Sequence, residues 1–457
     1  MVLSVSLFYV NLPNATTWFC FSFLLAGALF FKFTRVLSVR NWDIITLFLL
    51  APGLLILQEA HAGSDPGQAN PGLTLKAGTV NLTLLWYGYL WLLCGSAYFL
   101  FRSFLDLTLV RRPALGPNLN MGGLAWLGLA LFVCLSVVAA RGPVAAAATV
   151  GKPSVVVKEV QTQSEKVVKQ GPAGQNISES DMAFLVKCTT AMICHLAIVL
   201  GLVFIGWRHF QDVLSGMAMA TCYLLLPYTA YLVDQVHHVL PTAFLVWAVA
   251  AYRLPALSGL LLGLAIGTGY FPALLFPAWL SFYWRRGAGR FAGAVLLALA
   301  ICFLYVAFIM WLDGDLVRRI QETLAQSDWQ PWKTTVITEG FWTDMRWAWA
   351  YRLPVFIAYL ALVATTLFWP RPKNLAHLLA LSVAVILGIQ FWYADRGGVY
   401  VLWYLPFLLL LVFRPNLSDR EPAAIVPEKD WLTRWRLALG RFSSRLLRLP
   451  EPTVHVR

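Results

Sequence analysis

Residues 291–312 read FAGAVLLALAICFLYVAFIMWL, twenty-two positions without one charged side chain. About 20 apolar residues carry a helix across the ~30 Å hydrocarbon core of a bilayer. Lipid offers the backbone no hydrogen-bond partner, so a run of this kind must satisfy itself as a helix. Working outward from it, twelve further apolar runs lie near 18–31, 42–57, 82–100, 120–140, 183–206, 213–231, 239–252, 257–270, 271–284, 353–369, 375–393 and 399–413. The expected fold is therefore all-α: a polytopic bundle of about thirteen transmembrane helices.

Composition points the same way. Of 457 residues, 59% are apolar and 12% charged, with a mean hydropathy of +0.67. Soluble domains carry about 45–50% apolar and about 25% charged residues, so this excess cannot be hidden in one soluble core. A disordered chain, a secreted disulfide scaffold and a soluble nucleic-acid binder are excluded, the last despite a net charge of +13. All seven cysteines lie inside apolar runs and none stands in a CxxC pair, so neither disulfides nor a metal site is expected.

The positive charge has a topological use. With the N-terminus outside, thirteen lysines and arginines fall in loops assigned to the cytoplasm, among them Lys32, Arg102, Arg253, Arg286, Arg371 and Lys373. The short loops of the other face hold only Lys76 and Arg396. Such a split is what the positive-inside rule demands. It also favours two short helices over 257–284 rather than one, because a single helix would put Arg253 and Arg286 on opposite faces. The GTGYFP break supplies the means: Pro272 disfavours helical conformation at Phe271.

Residues 1–413 form the helical domain, with outer loops at 58–80, 141–182 and 313–352. Residues 414–457 form a basic cytoplasmic tail. Within it, Trp431, Trp435, Leu439, Phe442, Leu446 and Leu449 share one helical face, with five arginines between 434 and 448. That pattern suits a helix lying on anionic lipid headgroups; packing on the protein's own loops is the alternative. The loop 141–182, rich in Ser, Gln, Gly and Lys, reads as a flexible connection. Lys187, near a helix end, reads as a snorkelling cation. His195, deeper in the same helix, reads as a packed, hydrogen-bonded histidine.

Acidic residues gather on the outer face, and neither GxGxxG nor GxxxxGK[ST] occurs, so any chemistry is expected outside. Three stretches are candidates. The loop 313–352 offers Arg318 and Arg319 for a phosphate, and Trp329 and Trp332 for stacking on a sugar ring or anchoring at the headgroups. YLVDQVHHVLP (231–241) places Asp234, Gln235, His237 and His238 at an outer helix end, as an acid–base or phosphate-facing cluster or simply a polar hairpin end. The loop 58–80 exposes Asp65, or is only a turn.

The stretch VDQVHHVLPTAFLVWAVAAYRLPALSGLLLGLAIGTGYFPALLFPAWLSFYW (233–284) resembles the core of the GT-C polytopic glycosyltransferases, in particular glycosyltransferase family 87. Asp234-Gln235 stands at the family's Gly-Gln turn, with His237 near its Asn. Ser258-Gly259 and Gly263 fall in its small-residue helix, and Pro272 at its break. The family's lysine before that break is replaced here by Gly269-Tyr270. The resemblance implies an extracytoplasmic transferase of a bacterial cytoplasmic membrane, using a polyprenyl-phosphate sugar as donor substrate and no other cofactor. Asp65, and second Asp234, would be the base. Arg318, Arg319 and His237 would hold the donor phosphate, and Gln235, His238, Trp329 and Trp332 the substrate. An inactive scaffold of envelope assembly and a lipid or solute transporter are the rival expectations.

Overall fold

A computed structural model describes residues 15–62, 81–108, 116–141, 153–170, 178–284, 286–312, 340–344, 349–393 and 395–422. Among the described residues there is no strand. The helices are α1 (Ala15–Phe30), α2 (Val39–Thr46), α3 (Ala51–Ala62), α4 (Leu82–Thr108), α5 (Met121–Arg141), α6 (Val155–Gln170), α7 (Glu179–Ile205), α8 (Val213–Leu225) and α9 (Pro227–Tyr231). They continue with α10 (Val236–Ala250), α11 (Pro255–Thr268), α12 (Phe276–Phe282), α13 (Ala288–Leu312), α14 (Phe341–Asp344), α15 (Trp349–Phe368), α16 (Leu375–Trp392) and α17 (Leu405–Phe413).

Every expected apolar run coincides with helix, but not every helix has the same reach. Among the described residues, seven segments are long and apolar enough to cross a membrane: Val39–His61, Leu82–Thr108, Met121–Ala140, Glu179–Phe210, Ala288–Leu312, Ala350–Phe368 and Leu375–Trp392. The others are shorter; α11, with 14 residues, rises only about 21 Å at 1.5 Å per residue. Among the seven, Leu375–Trp392 is the centre, 89% of its apolar window being buried, against 28% for Ala288–Leu312 and 22% for Ala350–Phe368. The peripheral helices thus turn apolar faces outward, as lipid would require.

The chain does turn back inside 257–284. The 3-10 turn Phe271–Leu275 follows α11, and the Tyr283 hydroxyl donates to Tyr252 O at 2.8 Å. Residues 252 and 283 therefore share one end of the bundle, and α11 and the Phe271–Phe282 segment run in opposite directions. Small residues seat α11 against α13. A Cβ added at Gly263 would lie 2.7 Å from Val295 O, and one at Gly267 would lie 2.6 Å from Cys302 Sγ. This GxxxGxxxG face, begun at Gly259, lets the two backbones approach as bulkier residues would not.

The polar residues separate to the two ends. At the basic end, Arg102 grips Asp43 with two bonds of 2.9 and 3.1 Å and reaches Asp106 at 3.2 Å. Arg414 bonds the second Asp106 oxygen at 2.7 Å. All four side chains are buried, which is tolerable only because each charge is paired and hydrogen-bonded. Residues 414–422, assigned above to the tail, pack back on this end: Leu375 N donates to Arg420 O at 2.8 Å and Arg286 pairs with Glu421 at 2.7 Å. The tail helix around 431–449 lies outside the described residues.

The loop 141–182 is not a uniform flexible connection. Its residues 155–170 form α6, whose Val157 packs with Ala191 and Val236, and whose Gln163 donates to Glu159 one turn earlier at 2.9 Å. A polar composition conceals one buried valine and an i,i+4 bond, enough to fix the helix once a groove receives it.

Candidate functional site

At the end opposite the basic one, α9 stops at Tyr231 and the chain turns through Leu232–Gln235 before α10 begins. The turn is held from behind. His195 Nε2 donates to Val233 O at 3.0 Å, and its Nδ1 lies 2.8 Å from the Tyr223 hydroxyl. A carbonyl only accepts, so Nε2 carries the proton and Nδ1 accepts from the tyrosine. The expectation of a packed, hydrogen-bonded histidine holds.

Asp234 sits in that turn with both oxygens engaged. Lys187 Nζ lies 2.7 Å from Oδ2, and Gln235 Nε2 donates to Oδ1 at 3.0 Å. The Asp234 side chain is 6% exposed and that of Lys187 30%. Lys187 is therefore the counter-ion of a buried carboxylate rather than a cation that merely snorkels. The pair ties α7 to the start of α10.

His238 begins a different constellation. It is fully buried, and its Nδ1 accepts from Trp403 Nε1 at 2.8 Å. Indole nitrogen only donates, which places the imidazole proton on Nε2. Trp403 is stacked between Phe271 (centroids 4.3 Å, planes 9° apart) and Tyr400 (4.2 Å, 26°). Tyr270 stacks on Tyr393 at 5.5 Å, and the half-buried His237 ring lies 4.2 Å from that of His238. The Tyr400 hydroxyl donates to Asp395 O at 2.9 Å and approaches Oδ2 at 3.4 Å. Arg352 of α15 is buried within electrostatic range of Tyr393.

The loop that delivers these groups is YADRGGVYVLWY, 393–404. It folds back on the end of α16 because Gly398 takes φ +99°, open to glycine without cost, and its N–H donates to Gln390 Oε1 at 2.9 Å. A Cβ at Gly398 would also lie 2.8 Å from Leu92 Cβ. Two glycines after an acid–cation pair, with aromatics at 393, 400, 403 and 404, are the sequence signal that could have singled out this loop.

Of the expected site residues, Asp234, Gln235, His237 and His238 come together within one turn, but they serve two sets of partners: Asp234 faces Lys187 and His238 faces Trp403. Asp65, Arg318, Arg319, Trp329 and Trp332 lie outside the described residues. Tyr393, Asp395, Tyr400, Trp403 and Arg352 were not anticipated as a cluster. Among the described residues no group of three or more His, Cys, Asp or Glu side chains converges as a metal site would. What the arrangement contains is a buried aromatic stack, an imidazole whose Nε2 is the protonated nitrogen, one half-buried carboxylate, and two arginines (Arg352 and Arg396) at the same end. Comparison of the chain with protein-family models, with curated proteins and with solved structures found no match.

Proposed function

We propose that this chain is a polytopic membrane enzyme of GT-C type. In this reading it crosses the bilayer thirteen times, with the N-terminus outside and the basic end cytoplasmic. It transfers a sugar from a polyprenyl-phosphate donor to an envelope acceptor on the outer face. The observation that carries the reading is the gathering of His237, His238, Asp395, Arg352 and the stacked Phe271–Trp403–Tyr400 wall at the end remote from the basic loops. Aromatic faces suit the C–H surfaces of sugars and the isoprenoid chain, and guanidinium groups suit phosphate.

The reaction is a single displacement. The acceptor hydroxyl attacks the anomeric carbon, the bond from that carbon to the phosphate oxygen breaks, and its electron pair leaves with the lipid phosphate. A carboxylate takes the hydroxyl proton. Asp65 holds that role by resemblance. Among the described acids at this end, Asp395 is the half-buried one beside the aromatic stack, whereas Asp234 is buried with both oxygens held by Lys187 and Gln235. Arg318, Arg319 and His237 are assigned to the leaving phosphate, and His238, Gln235, Trp329 and Trp332 to the substrate.

Native mass spectrometry of the detergent-purified protein with a panel of polyprenyl-phosphate sugars tests the reading. A retained donor, weakened in Trp403→Ala and in an Arg318→Ala/Arg319→Ala variant, supports it; a folded sample that retains none refutes it. One observation favours a second reading, an inactive scaffold that keeps the lipid site: the Asp234 carboxylate is consumed by Lys187. That reading predicts donor retention without sugar transfer.

A further inference from the structure

A cavity lies at the basic end, opposite the residues just described. It encloses about 370 Å³ between the ends of α12, α15 and α16 and the segment after α17, and its lining includes Ser281, Trp284, Arg286, Arg371, Lys373 and Glu421. Three of these side chains are cationic and one is anionic. The one carboxylate is taken, since Arg286 Nη2 pairs with Glu421 at 2.7 Å while its Nη1 donates to Pro422 O at 2.9 Å.

The other two cations have no carboxylate among the described residues. Lys373, only 4% exposed, donates to Ser281 Oγ at 2.8 Å and to Pro370 O at 3.0 Å. An ammonium has three donors, which leaves one for a ligand. Arg371 donates to Leu367 O at 3.2 Å and lies 5.7 Å from the Phe368 ring centre. Burial, with Arg371 beside it, pushes the Lys373 amine down to about 8. A cation so far removed from water, beside a second cation, calls for an anion.

We infer that this cavity is a phosphate-binding site, in which Lys373 and Arg371 clamp the anionic oxygens, while Ser281, whose own proton goes to Leu367 O, holds the Lys373 ammonium in place. The volume suits a phosphate group with a small substituent, and basic pockets between membrane helices are where lipid headgroups of this charge bind. The phosphate can belong to a lipid headgroup or to a small soluble molecule; the chemistry of recognition is the same. The inference stands apart from the glycosyltransferase reading.

Isothermal titration calorimetry on the full-length detergent-purified protein tests it. The probes are inorganic phosphate, dihexanoyl phosphatidic acid and, as zwitterionic control, dihexanoyl phosphatidylcholine. At least one anionic probe is expected to bind and to lose affinity by about tenfold or more in Arg371→Gln and in Lys373→Gln, the scale of one charge-assisted bond. Binding of phosphatidic acid without inorganic phosphate assigns the site to a headgroup; equal or tighter binding of phosphate assigns it to a soluble molecule. Arg371 is exposed at the surface, so its variant folds even if removing the buried lysine does not. Failure of both anionic probes, equal binding of the phosphatidylcholine, or wild-type affinity in Arg371→Gln overturns the inference.

Discussion

The Lys187–Asp234 pair makes an asymmetric prediction. Both groups lose the same 2.7 Å contact when either is removed, but what remains differs. Lys187→Met strands a carboxylate that is 6% exposed, with Gln235 as its other side-chain partner among the described residues. Removing one partner of a buried pair costs about 3–5 kcal/mol. Asp234→Asn strands an ammonium that is already 30% exposed and sits on a flexible stem, so it can reach water. Its cost falls to about 1–2 kcal/mol, nearer that of a surface pair plus one lost hydrogen bond. At an unfolding entropy of about 2 cal/mol/K per residue, 1 kcal/mol moves the melting point of a chain this long by roughly 1 °C. A thiol-reactive dye reports unfolding as the rise above the signal of the exposed Cys20, Cys94 and Cys134, since Cys188, Cys194, Cys222 and Cys302 are buried. Lys187→Met should melt several degrees below wild type and Asp234→Asn one or two degrees below. The double variant should lie above Lys187→Met. If Asp234→Asn proves the more damaging, or if the two single effects simply add, the pair is not the lock on this turn.

Gly263→Leu should cost about 2–3 kcal/mol by forcing α11 off the Val295 backbone of α13, read as a lower melting point, whereas Gly293→Leu, where an added Cβ meets nothing within 4 Å, should melt as wild type. Trp403→Phe keeps the stack on Phe271 and Tyr400 but leaves His238 Nδ1 without its donor. It should cost about 1–3 kcal/mol while retaining any bound donor better than Trp403→Ala, compared by native mass spectrometry. The Lys373 amine, with a pKa lowered to about 8 by burial and then by Arg371, holds fewer protons in the folded than in the unfolded chain between pH 8 and its ordinary value of 10.5. Stability should therefore rise with pH across that window, the penalty being complete below pH 8. Arg371, Arg286 with Glu421, His377 and Arg414 also face this region, and the comparison that isolates Lys373 is the melting curve of Lys373→Met by tryptophan fluorescence, which should lose this slope.

Helix positions were legible because each apolar run must be helix in lipid, and the turn at 268–271 was legible because Gly269 and Pro272 break the pattern and Arg253 and Arg286 must share a side. How far each helix reaches was not, because α8 and α10 are as apolar as the longer helices yet sit inside the bundle. Lys187 was misread because its partner is 47 positions away, and a side chain's local sequence does not reveal its counter-ion. The same holds for the ion network of Asp43, Arg102, Asp106 and Arg414, the last two 308 positions apart. The pair His237–His238 was found from sequence alone, but its aromatic wall is assembled from 270–271 and 393–403 and exists only in three dimensions. α6 was missed because one buried valine and an i,i+4 bond weigh little in a polar composition.

The central claim is that the outer-end aromatic cluster receives a lipid-phosphate sugar. Photo-crosslinking the full-length protein in nanodiscs with a polyprenyl-phosphate sugar carrying a diazirine near the phosphate, followed by peptide mapping, tests it most directly. The adduct should fall on peptides containing 234–238, 270–271 or 393–404, and excess unlabelled donor should abolish it. Labelling confined to the basic end around 281–286 and 369–374, or spread over the lipid-facing helices and indifferent to competitor, would contradict the claim.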